Sequence, residues 1–73
     1  MRYRLKKDRF IREELQGRKG DIVYKFKGFS YGLADDDEYF TGKPHICVTF
    51  NKEGDYPFFT IPTEDVEELR EDN

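Results

Sequence analysis

Four consecutive carboxylates, Asp35-Asp36-Asp37-Glu38, are the densest concentration of chemical groups in this chain of 73 residues. Adjacent carboxylates can share a Ca²⁺ or Mg²⁺ ion. The EF-hand pattern fails here: a loop starting at Asp35 puts Phe40 where glycine is needed, and one starting at Asp37 puts Val48 at the terminal Glu position. Runs of like charge stay hydrated, so this one reads as a solvated acidic loop without a metal. His45 and Cys47 fall on one face of an expected strand. A Cys/His nucleophile needs an orienting third group and an oxyanion hole. Zinc would need further ligands from acids, since the chain has no other His or Cys. No glycine-rich phosphate loop, nucleophile elbow or helical metal motif is present. The expectation is a protein with no enzymatic activity, no metal and no cofactor.

Charge then becomes the leading clue, because its sign changes near Gly28. Residues 1–27 hold ten Lys/Arg against four acids, and residues 28–73 hold three against twelve, so +6 and −9 give the net charge of −3. Such polarity points to a charged partner. In the acidic half, Asp35, Asp36, Asp37 and Glu38 are followed directly by Tyr39 and Phe40, a combination suited to a basic, apolar protein surface. The same two rings also fit a core role pinning the loop, which the shortage of apolar material in so short a chain favours. In the basic half, Arg2, Arg4, Lys6, Lys7, Arg9, Arg12, Arg18 and Lys19 can track a phosphate backbone, with Lys25 and Lys27 extending the patch and Tyr3 and Phe10 stacking on bases. A protein partner reached through residues 35–40 is the first reading. Nucleic-acid binding through the N-terminal cations is the alternative, and pairing between copies, basic half to acidic half, is a third.

These groups have to be held by a small frame. Seven Phe and five Tyr counter the impression of disorder left by 40% charged residues. Ile22, Tyr24, Phe26, Phe29, Ile46, Val48, Phe50, Phe58, Phe59 and Ile61 are the expected interior of one domain, with a basic segment over 1–20 and a β core over 21–69. Asp8 can cap a short helix over 9–16 ended by Gly17, with Ile11 and Leu15 as its apolar stripe. Met1, Tyr3 and Leu5 alternate with basic residues, which fits an edge strand. Alternation predicts strands over 22–27, with Ile22, Tyr24 and Phe26 inward, and over 45–50, with Ile46, Val48 and Phe50 inward. Residues 51–55 predict a hairpin turn with Gly54 at positive φ, and 56–61 a further strand with Pro57 near its start. Residues 28–44 remain a long loop. Residues 62–65 suggest a 3₁₀ turn, after which 66–69 suit a last strand or a helix equally. The fold class is therefore mainly β with some α: a small SH3-like barrel, or an open antiparallel sheet with a short N-terminal helix. A single Cys, no long apolar run and no signal-like segment lead to the expectation of a cytoplasmic protein that does not enter membranes.

The pattern Tyr31-Gly32-Leu33-Ala34, Asp36-Asp37, Thr41-Gly42, His45-Ile46, Val48-Thr49 and residues 54–62 (GDYPFFTIP) resembles small uncharacterised proteins encoded by tailed bacteriophages. The resemblance covers about half the chain, downstream of the basic segment. It implies a setting, the cytoplasm of an infected bacterium, and a role in binding host or phage machinery. It implies no activity.

Overall fold

The computed structural model describes residues 1–70 and is mainly β, with seven strands, one α-helix and one 3₁₀ turn among them. The strands are β1 (Arg2–Leu5), β2 (Arg9–Arg12), β3 (Leu15–Gly17), β4 (Ile22–Lys25), β5 (His45–Thr49), β6 (Phe59–Pro62) and β7 (Val66–Leu69). Helix α1 (Leu33–Thr41) joins β4 to β5, and the 3₁₀ turn Thr63–Asp65 leads into β7. Five strands form one antiparallel sheet in the order β6-β5-β4-β1-β7, while β2 and β3 make a separate hairpin. The sheet is open, with β6 and β7 at its edges.

Every strand of that sheet sends a side chain into one cluster: Leu5, Val23, Val48, Phe59, Ile61 and Val66, all at most 7% exposed. The β5-β6 connection covers part of the second face. Phe26 stacks on Phe58 at 4.1 Å and meets Tyr56 edge-on at 5.0 Å, forming an aromatic group apart from the main cluster.

The face expected for β4 is corrected. Val23, paired with Tyr3, is fully buried, whereas Ile22 and Tyr24 are half-buried on the other side. Thr49, expected to face outward, is also fully buried. Its hydroxyl donates to the Pro57 carbonyl (2.7 Å) and accepts from the Asn51 amide (3.0 Å), so the hairpin satisfies it. Phe29, expected inside, is 68% exposed.

The N-terminal helix is replaced by the β2-β3 hairpin. The Asp8 carboxylate caps nothing nearby; it accepts from the Lys19 amide at 2.8 Å, closing the base of the hairpin. Gly17 lies so close to the core that a Cβ there would stand 2.6 Å from Leu5 Cδ1. Ile11 and Leu15 pack against the core from the two hairpin strands, as they would have from one helix face. Residues 2–5 do form a strand, but inside the sheet between β4 and β7. Tyr3 lies opposite Glu68 there, and partial burial, with that carboxylate second, holds its phenol above the ordinary value. The 3₁₀ turn and the strand reading of 66–69 both hold.

Candidate functional site

The stretch expected to be a loop over 28–44 contains helix α1, and the helix carries the acidic run. Glycines bracket it. Gly42, at φ 75°, ends it by returning its amide to the Glu38 carbonyl, a left-handed cap that a β-carbon disfavours. Asp35 and Asp36 sit in the first turn, where the helix dipole favours negative charge.

At 100° per residue, Ala34 and Asp37 fall one turn apart on the same side, and they are the helix's two half-buried positions. Asp37 therefore separates from its neighbours in role. Its carboxylate accepts from the Thr60 hydroxyl of β6, fastening α1 to the sheet. Arg9 Nη2 donates to the Thr60 carbonyl at 3.3 Å, and Arg9 also approaches Asp65 at 4.0 Å, so one thread of polar contacts runs from α1 through β6 to the hairpin. Asp65, only 8% exposed, is paired more closely with Lys7 at 3.3 Å. Lys43, just past the helix, donates to Glu64 at 2.7 Å, and that bond raises its pKa above the ordinary lysine value.

The remaining site residues of α1 face solvent. Asp35, Asp36 and Glu38 are exposed, and among the described residues they form no ion pair. Tyr39 is 84% exposed and Phe40 81%, with ring centroids 5.4 Å apart in an edge-to-face arrangement. This overturns the core role favoured for the two rings. The helix has no buried residue at all, so nothing internal requires aromatics at its C-terminal end.

A second group of exposed rings precedes the helix and was missed by the sequence reading. Phe29 and Tyr31 meet edge-to-face at 4.6 Å, and the Tyr56 hydroxyl donates to the Phe29 carbonyl at 3.4 Å. The available signal was the segment Gly28-Phe29-Ser30-Tyr31-Gly32, in which aromatics alternate with small residues unable to form a strand interior.

The N-terminal cations are dispersed. Arg4 pairs with Glu67 (3.2 Å), Lys7 and Arg9 face Asp65, and Arg12 approaches Glu14 (3.8 Å). Arg2 and Lys6 stay exposed without an ion pair among the described residues. His45 directs Nδ1 at the Lys43 carbonyl (2.8 Å) and Cys47 is half-buried; no cluster of three metal-ligating side chains occurs among the described residues. No helix of the described residues is long and apolar enough to cross a membrane. No protein-family model, curated protein or solved structure matches the chain.

Proposed function

We propose that this protein is a non-catalytic interaction module that uses the outer face of α1, Asp35, Asp36, Glu38, Tyr39 and Phe40, to engage a protein partner. The observation that carries the reading is the Tyr39/Phe40 pair, more than four-fifths exposed on a helix that buries nothing. Large rings left in water beside unpaired carboxylates suit a partner surface with an apolar pocket ringed by Lys or Arg. Asp37 serves this function indirectly, by holding the helix to Thr60. The frame is proposed to be SH3-like: the order β6-β5-β4-β1-β7, a hairpin inserted after the first strand, and a 3₁₀ turn before the last strand support that arrangement. In it, α1 occupies a connecting loop, where binding residues can change without disturbing the core.

The resemblance to phage-encoded proteins makes a bacterial lysate, with and without nuclease, the first place to seek the partner. The tagged wild-type chain should retain a stoichiometric protein. Tyr39→Ala with Phe40→Ala should weaken capture by at least about 2 kcal/mol, roughly thirtyfold. Asp35→Asn, Asp36→Asn and Glu38→Gln together should slow association about tenfold at low salt and less at high salt. Capture that both variants leave unchanged, or recovery of nucleic acid alone, would sink the reading.

A further inference from the structure

Four cations stand together on the surface. Arg2 of β1, Lys25 at the end of β4, Lys27 and Lys52 line one cleft, with Met1 and Tyr24. Backbone pairing brings these segments to one end of the sheet. Arg2 and Tyr24 are register partners on neighbouring strands, so their side chains rise from the same face. The Lys25 amide donates to the Met1 carbonyl at 3.2 Å, and the Lys27 amide to the Gly54 carbonyl at 3.0 Å. The second bond folds the β5-β6 turn, and Lys52 with it, over the end of β4.

Among the described residues none of the four forms an ion pair, whereas Arg4, Lys7, Arg9, Arg12 and Lys43 all do. In a chain with 16 acids and 13 Lys/Arg, cations have no shortage of carboxylates to meet. Four of them lining one cleft without an ion pair among the described residues repel one another, and an incoming anion would relieve that repulsion.

We propose that this cleft binds the sugar-phosphate backbone of a single-stranded nucleic acid. Four positive charges exceed what one phosphate group can neutralise, which favours a chain of phosphates over a single small anion. The cleft has a volume of about 180 Å³. Tyr24 also lines the cleft, and aromatics are common in grooves that track single strands. This set takes Arg2, Lys25 and Lys27 from the basic patch read in the sequence and adds Lys52, and no residue of α1 lines it.

The test is fluorescence anisotropy of a labelled oligothymidylate of about 20 nucleotides, titrated from about 50 to 200 mM salt. Binding should weaken with a log–log slope near −3, about −0.7 for each of four phosphates. Lys25→Glu with Lys27→Glu should weaken it at least tenfold, while Arg18→Glu with Lys19→Glu, outside the cleft, changes it less than threefold. Circular dichroism checks that both variants stay folded. No binding at the lowest salt, equal losses in the two variants, or preference for a duplex of the same length overturns the proposal. Displacement by polyglutamate at matched charge also overturns it, because the cleft would then be a site for acidic protein.

Discussion

Replacing Leu5 with Ala should lower the unfolding free energy by about 3 kcal/mol, within the 2–5 kcal/mol range for deleting a buried leucine side chain. Leu5 is 1% exposed and sits where β1, β7 and the β2-β3 hairpin meet, opposite Val66 and against Gly17. Neighbours cannot easily collapse into the cavity, because the backbone around Leu5 is pinned. Its amide donates to Asp21 (2.9 Å), and its carbonyl accepts from Gly20 (2.8 Å). In a domain this small each kcal/mol moves the melting temperature by about 4–8 °C, so the expected fall is about 12–24 °C. Phe29→Ala removes more carbon, but from a ring 68% exposed, and should cost no more than about 0.5 kcal/mol. Thermal melts followed by circular dichroism compare the two directly. Equal shifts would mean that the core does not lie where Leu5 places it.

Gly54→Ala should cost about 3 kcal/mol, against about 1 kcal/mol for Gly42→Ala. Both glycines have positive φ, 81° and 75°, so both substitutions carry the left-handed penalty of about 1–2 kcal/mol. They differ in space. A Cβ on Gly42 meets nothing within 4 Å, whereas one on Gly54 would stand 3.0 Å from the Lys25 carbonyl oxygen and 2.9 Å from Lys27 Cγ. The lysine chain can swing away. The carbonyl cannot, because the adjoining amides of Phe26 and Lys27 are bound to Cys47 and Gly54. Denaturant midpoints at unchanged m-value read the difference, and matching midpoints would contradict the packing argument. Shifting this turn also moves Lys52 relative to Lys27, so Gly54→Ala should weaken oligothymidylate binding where Gly42→Ala does not.

What was legible in the sequence was mostly local. Alternation located β4 and β5, and turn chemistry located the bend at 51–55 and the 3₁₀ turn. The choice of buried face was lost at Val23 and Thr49, because the β5-β6 connection covers part of the second face and period-two patterning presumes one wet face. The hairpin over 9–17 was out of reach for a different reason. Ile11 and Leu15 satisfy helix and hairpin alike, and distant partners decide: Lys19 for Asp8, Leu5 for Gly17. For α1 a signal did exist, since Gly32 and Gly42 bracket a span of helical length, but four successive acids argued for a loop. Within the candidate site the solvation of Asp35, Asp36 and Glu38 was legible. The separate role of Asp37 depended on Thr60, 23 residues away.

The pairing of β1 with β7 sets how the fold answers to mechanical load. Arg2 lies opposite Leu69 and Leu5 opposite Val66, so the two antiparallel strands present their outer ends side by side. Tension applied through residues 2 and 69 loads the ladder rung by rung, starting at Arg2 and Leu69. Antiparallel hydrogen bonds lie perpendicular to the strands, along the pull, and no two rungs share the force. An optical trap should record rupture at low force, and a single high-force event would contradict this geometry. Held between two anchors, the protein would part along this seam first and uncover Leu5 and Val66, a weak link that gives way to traction more readily than its packed centre suggests.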